Sequence, residues 1–207
     1  MHPNPAFRQT PAEQNLAFAR ERGFGILTVS VASGPLAAHV PFLLSPDGAF
    51  AECHLARSNP IARAALPAPA LMIVAGPDAY ISPDWYGTPE QIPDQVPTWN
   101  YIAVHLRGQL EALAEAALEP HLDALSAEHE ARLSPKRPWT KSKMSPPAMP
   151  RMMRAILPFR LSVDAVEGTW KLSQNKPQVV RERAGDALAR QPGAEGNAAL
   201  AALMRRT

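Results

Sequence analysis

The chain has 207 residues and a formal net charge of +2, with 21 Lys+Arg against 19 Asp+Glu; 46% of its residues are hydrophobic and 19% charged. This profile is that of a globular protein, and it excludes bulk disorder, which needs low hydrophobicity and high net charge. Proline is in excess, 23 residues, about twice the usual share of roughly 5%. The chain is therefore expected to be built from short elements and long ordered loops, because proline is kept out of helix interiors and central strands.

Thr10-Pro11-Ala12-Glu13 reads as a capping box with proline at the first helical position, and a helix carrying Leu16, Ala17 and Arg20 is expected to run to Gly23. Phe24 to Ala32 reads as a strand, with Ile26, Thr28 and Ser30 alternating against Leu27, Val29 and Val31. Gly34-Pro35 marks a turn and Leu36 to Leu44 a second strand. Ser45-Pro46-Asp47-Gly48 between two apolar runs predicts a hairpin into a third strand, Ala49 to Leu55.

Asn59-Pro60 opens a short helix, with Asn59 as N-cap. Ala70 to Ala75 is a buried strand that Asp78 to Pro83 extends after a kink at Gly76-Pro77. Trp85 to Thr98 is a loop without periodicity, and loops of this length are more often functional than filler. Trp99 to Leu110 is the clearest strand: Ile102, Val104 and Leu106 share one face, and Tyr101, His105 and Arg107 the other.

Glu115 to Leu133 is helical, with Leu122, Leu125 and His129 on one stripe. Ser134 to Pro150 is a proline- and lysine-rich connector, Met152 to Leu157 a short helix, and Phe159 to Val166 the last strand. Gln178 to Arg190 and Ala198 to Arg205 are C-terminal helices joined by a linker over Gln191 to Asn197. Six short strands, mostly hairpin-linked, with helices at the ends, define a mainly β fold: an antiparallel barrel with peripheral helices.

Location follows from what the sequence lacks. A single cysteine, Cys53, forms no intramolecular disulfide. Met1-His2-Pro3-Asn4-Pro5 has no basic region leading into an apolar run, and the stretch Ala70 to Ala75 is far shorter than the ~20 residues of a membrane helix. A cytoplasmic protein with no membrane contact is expected.

Nucleotide and zinc signatures are absent, the six histidines are scattered, and no metal site is expected. Cys53 and His54 are adjacent in a strand and point to opposite faces, so they do not form a nucleophile–base couple; Cys53 reads as a small buried hydrophobe.

Four clusters stand out. His54-Leu55-Ala56-Arg57-Ser58-Asn59-Pro60 places an arginine, a hydroxyl and free N–H groups at a strand-to-helix junction, which suits a phosphate or serves as a plain helix cap. Gly76 to Tyr86 and Pro97 to Tyr101 hold two of the four tryptophans and all three tyrosines between positions 80 and 101. Such a cluster fits a stacked heteroaromatic ligand, a core plug or a subunit interface. Glu167-Gly168-Thr169-Trp170-Lys171-Leu172-Ser173-Gln174-Asn175 is rich in polar donors, and its plainest reading is a solvated loop ending a strand.

Taken in this order, the clusters resemble the PaiB family, often called FMN-binding negative transcriptional regulators. The resemblance rests on His54-Leu55-Ala56-Arg57 with Asn59-Pro60, Tyr80-Ile81-Ser82-Pro83 with Trp85-Tyr86, Pro97-Thr98-Trp99-Asn100-Tyr101 with Val104-His105 and Gly108, and Lys171-Leu172-Ser173-Gln174-Asn175. Met1-His2-Pro3 to Phe7 and Ala38-His39-Val40-Pro41 fit as well, so the resemblance spans about residues 1 to 205.

The resemblance implies an FMN-binding split β-barrel, a homodimer with the flavin at the subunit interface. It implies that residues 1–176 form the split-barrel domain with inserted helices, and that 177–207 are a C-terminal helical extension. Arg57 and Ser58 would hold the phosphate, His39, His54 and Asn59 would also bind the cofactor, Trp99 and Asn100 would lie near the ring or phosphate across the dimer, and Lys171, Gln174 and Asn175 would approach from the C-terminal segment. One departure is that the loop Gly87 to Gln95 carries no lysine or arginine, where relatives often have lysine, which implies a weaker hold on the flavin phosphate.

Three rival readings stay open. They are a flavin-dependent oxidase or reductase resembling pyridoxamine-phosphate oxidase, a haem-binding split barrel using His39, His54 or His105, and direct DNA binding. No helix-turn-helix supports the last, and a net charge of +2 gives it little electrostatic help.

Overall fold

The computed structural model describes residues 1–88, 90, 92, 94–191 and 195–206, with Glu195 described by its backbone alone. Its six strands are β1 (Phe24–Val31), β2 (Gly34–Leu44), β3 (Phe50–Ala56), β4 (Ala68–Ile81), β5 (Thr98–Ala112) and β6 (Ile156–Lys171). They hydrogen-bond in the order β1-β2-β3-β6-β5-β4 and close into a barrel. The helices are α1 (Ala12–Arg22), α2 (Leu118–Ala131), α3 (Ala148–Met153), α4 (Gln178–Ala189) and α5 (Glu195–Arg206), with short 3-10 turns between elements. The chain forms two compact units: residues 16–74 with 105–166, and residues 1–15 with 75–104 and 167–207.

In the unit of residues 16–74 and 105–166, local sequence sets the turns. Gly23, at φ +56°, ends α1 with its N–H donated to the Ala19 carbonyl at 3.0 Å, a left-handed cap that glycine adopts without strain. The β2–β3 turn is closed by side chains: Ser45 Oγ donates to Asp47 Oδ1 at 2.6 Å, and Asp47 Oδ1 also accepts from the Ala49 N–H at 3.0 Å. Strand alternation then fills the core. Leu27 and Val29 of β1, Phe42 of β2, Leu55 of β3 and Leu106 of β5 are each at most 3% exposed. At Gly108 a Cβ would lie 1.7 Å from the Ser162 carbonyl oxygen, so β5 and β6 approach there only because this residue is glycine. Glu52 and Arg160 are directly opposed on β3 and β6 and pair at 2.6 Å.

In the other unit, α4 buries Val180, Ala184 and Leu188, and α5 buries Leu200, Ala201 and Met204. Arg181 Nε donates to the Met204 carbonyl at 2.7 Å, which satisfies an acceptor in the last turn of α5. Asn15 is 3% exposed; its Nδ2 donates to the Thr10 carbonyl at 3.2 Å and its Oδ1 accepts from Trp170 Nε1 at 2.8 Å.

Several boundaries differ from the sequence expectations, for identifiable reasons. β2 starts at Gly34, with the turn at residues 32–33, because Gly34 takes φ +118° inside the hairpin. β4 is continuous through Gly76-Pro77, and the kink survives as a slip in alternation: Ala70, Met72 and Val74 are buried before it, Ala79 and Ile81 after it. The helix expected at Met152 to Leu157 is α3, four residues earlier at its start, and β6 begins at Ile156 and runs to Lys171. On α2 the buried stripe is Leu118, His121 and Leu125, so His121 rather than His129 faces inward. Residues 167–175 are not a solvated loop: Thr169, Trp170, Leu172 and Ser173 are buried. The C-terminal linker expectation falls partly on residues outside those described.

Candidate functional site

Each unit carries part of the expected site. In the unit of residues 1–15, 75–104 and 167–207, strand alternation turns Trp99 outward, 54% exposed, and Asn100 inward, fully buried. Asn100 Nδ2 donates to Ser173 Oγ at 2.9 Å, while its Oδ1 is buried without a partner. Ser173 has φ +63°, a costly conformation for a residue with a Cβ, which the surrounding turn must impose. Gln174 imposes part of it: its Oε1 accepts from the Leu172 N–H at 2.7 Å and its Nε2 donates to the Ala6 carbonyl at 3.2 Å and to the Trp170 carbonyl. Gln174 is therefore a clip that shapes the turn.

Asn100, Lys171 and Asn175 line a cavity of about 240 Å³ together with Phe7, Tyr86 and Lys176. Lys171 donates to Thr98 Oγ1 and lies 5.9 Å from the Phe7 ring centroid; Lys176 donates to Gln95 Oε1 and lies 4.6 Å from the Tyr86 ring. Burial holds the Lys171 ammonium below the usual lysine range. His2 also borders the cavity, its ring edge-on to Phe7 at 4.8 Å, and burial together with the Lys171 charge lowers its basicity. The Tyr86 hydroxyl is buried beside that of Ser173 without completing a hydrogen bond of good geometry; burial pushes its pKa up and the Ser173 hydroxyl partly opposes this. Asp94 is the one acidic residue at the rim among the described lining residues. The cavity thus presents two ammonium groups, aromatic walls and an unmatched amide oxygen, a set that suits an anionic or carbonyl-rich heteroaromatic ligand. Lys176 also bears on the expected lack of charge in the Gly87 to Gln95 loop, because it brings a lysine to Gln95 from another segment. Trp99 lies apart from the cavity lining and meets Tyr80 edge-on at 6.5 Å.

In the unit of residues 16–74 and 105–166, Arg57 follows β3. Its Nε donates to the Arg154 carbonyl at 2.7 Å and its Nη2 to Glu115 Oε1 at 2.8 Å. Asn59 Oδ1 accepts from the Ile61 N–H at 2.9 Å and caps the 3-10 turn Pro60–Arg63, while Ser58 is exposed. His39 is exposed on β2, its ring stacked 6.4 Å from Phe24. His54 Nδ1 meets His121 Nε2 at 3.1 Å, and His121 Nδ1 is buried without a partner. Burial, then the neighbouring His54, lowers the His121 pKa to about 4; burial lowers that of His54 as well, so the pair is neutral. Cys53 is buried and its thiol pushed up to about 12.

Phe7, Tyr86, Ser173 and Lys176, which line the cavity, and His121, which meets His54, lie outside the site residues expected from the sequence. Lys176 directly follows the Lys171 to Asn175 block, and His121 falls three residues after Leu118 and four before Leu125, which is the spacing of one helix face.

The strand order and the likeness to solved structures define a split β-barrel fold. The FAD and haem binding protein from Mycobacterium smegmatis aligns at TM-score 0.56 and 20% identity, over 80% of this chain and 73% of that one. The flavocytochrome Anf3 from Azotobacter vinelandii aligns at TM-score 0.54 and 15% identity, over 82% and 72%. Residues 1–165 match the family model described as "Putative FMN-binding domain". The protease synthase and sporulation protein PAI 2 of Bacillus subtilis (strain 168) is 31% identical over 173 residues, covering 82% of this chain and 80% of that protein. The chain belongs to this FMN-binding family, the PaiB family, and FMN is the cofactor that membership supports. Among the described residues no helix is long and apolar enough to cross a membrane, and no group of three or more His, Cys, Asp or Glu could hold a metal ion.

Proposed function

We propose that the chain is a cytoplasmic, homodimeric FMN-binding protein whose role is negative regulation of transcription, with the flavin at the subunit interface. The observation that carries the flavin reading is the buried, unmatched Asn100 Oδ1 in a cavity flanked by Lys171 and Lys176. A buried acceptor without a donor costs about 1–3 kcal/mol, and a ligand N–H would recover that cost. Arg57 supplies a guanidinium suited to a phosphate, and Ser58, the next residue, supplies an exposed hydroxyl. Lys171 and Lys176 stabilise negative charge on a bound ring, Asn100 orients the ligand, and Asn175 lines the same wall. Tyr80 and Trp99, both about half exposed and in edge contact, suit burial against a second copy. Bound FMN would supply hydride or electron transfer, and a flavin-linked redox state would give regulation its input.

The test is the visible spectrum of the purified protein after addition of FMN and desalting, with sedimentation in parallel. A retained, perturbed flavin band on a dimer is expected. A colourless protein would overturn the reading.

A further inference from the structure

Four of the seven methionines lie within ten residues of one another, and all four face one pocket. Met149, Met152 and Met153 come from α3, and Met144 comes from the segment before it. The pocket measures about 290 Å³, and Trp139 forms part of its wall. Spacings of i, i+3 and i+4 put Met149, Met152 and Met153 on one helix face, with Cβ atoms about 5–6 Å apart. A thioether sulfur sits two bonds beyond its Cβ, so such sulfurs can converge on a single ion.

Methionine commonly fills gaps in cores. These four do not act as filler: the space they surround stays open, and Met152 is 59% exposed. Hard donors are engaged elsewhere. Asp123, the carboxylate lining the pocket, binds the Lys141 ammonium at 2.7 Å, and Glu119 binds the same ammonium at 2.6 Å. These three side chains leave a local charge of −1 beside the thioethers. Trp139 is pinned by its backbone N–H, which donates to Glu130 Oε2 at 2.7 Å. Its side chain lines the same pocket, where an indole can cover a cation.

Thioethers select soft monovalent d10 ions, whereas zinc, magnesium and calcium want thiolate, imidazole or oxygen ligands. We propose that Met144, Met149, Met152 and Met153, with Trp139 beside them, form a binding site for a soft monovalent cation, Cu(I), separate from the flavin residues. The site does not depend on the flavin reading. The single thiol does not compete, because Cys53 is buried.

The experiment is an anaerobic titration of the full chain with Cu(I) against bicinchoninate, with Ag(I) added to protein carrying ¹³C-methyl methionine. The expected result is one equivalent of Cu(I) held against the competitor. Ag(I) is expected to shift the methyl signals of Met144, Met149, Met152 and Met153, leave those of Met72 and Met204 in place, and quench a fluorescence component that Trp139→Phe removes. The triple substitution Met149→Leu, Met152→Leu, Met153→Leu keeps side-chain volume close to constant and is expected to weaken Cu(I) binding at least tenfold without changing the melting temperature. Met152→Leu alone, at an exposed position, is expected to weaken it several-fold, which keeps the test decisive if the triple variant fails to fold. Unchanged affinity in the leucine variants, shifts confined to other methionines, loss of binding only in Cys53→Ala, or no binding against the competitor would each overturn the proposal.

Discussion

The Arg57 junction and the Asn100 cavity are both rich in polar groups, yet they treat those groups in opposite ways. At the junction Arg57 is matched by Glu115 and the Arg154 carbonyl, and Asn59 by the Ile61 N–H. In the cavity Asn100 Oδ1 is buried with no donor and Tyr86 lacks a completed bond. A ligand at the junction must replace an existing ion pair, so its net gain there is small. A bond to Asn100 Oδ1 or to the Tyr86 hydroxyl recovers a desolvation cost already present in the fold, while Lys171 and Lys176, which donate to Thr98 and Gln95, add charge to the site. The cavity is expected to set affinity, and the junction to set the preference for a phosphate.

The largest effect expected from this contrast is in the cavity. Replacing Lys171 and Lys176 together by alanine removes two partly buried ammonium groups, each worth about 1.5–3 kcal/mol in a charge-assisted bond, so FMN affinity should fall roughly 100-fold or more; flavin fluorescence titration measures it. A stability effect comes next, in the unit that holds the junction. The His54 and His121 pKa values are depressed in the folded state, so between pH 6.5 and about 4 the unfolded chain binds more protons than the folded one. Stability should therefore be full above pH 6.5 and fall as the pH drops towards 4. Melting temperature against pH measures this, and His121→Leu should flatten the curve.

Arg57→Ala should weaken FMN binding by about tenfold, less than a buried arginine would, because the side chain is 40% exposed and screened. Glu115→Gln is expected to act in the opposite direction and in the smallest measure. Freeing Arg57 from an exposed pair worth about 0.2–1 kcal/mol should tighten FMN by up to about fivefold. A weaker Glu115→Gln protein would mean that Glu115 positions Arg57 rather than competing for it.

Much of the barrel was legible because its signals are local. The hairpin at Ser45 to Gly48, the stop at Gly23 and the alternation of Ile102, Val104 and Leu106 each depend on a few neighbouring residues. The junction was legible for the same reason, since Asn59-Pro60 announces its own cap. What escaped depends on contacts distant in sequence. Gly168 looks like a loop glycine, yet a Cβ there would stand 2.1 Å from Asn15 Oδ1, and Trp170 is bound to that same residue from 155 positions away. That packing turned an expected solvated loop into a buried wall of the cavity. His121 meets His54 across 67 positions, a pairing that no spacing rule contains.

The most direct test of the contrast is to titrate wild-type protein, Arg57→Ala and Lys171→Ala with FMN and with riboflavin, which lacks the phosphate. The wild type is expected to prefer FMN, Arg57→Ala to lose most of this preference, and Lys171→Ala to bind both flavins less well while keeping it. Equal affinity of the wild type for the two flavins, or a preference that survives in Arg57→Ala, would contradict the assignment of the phosphate to the junction.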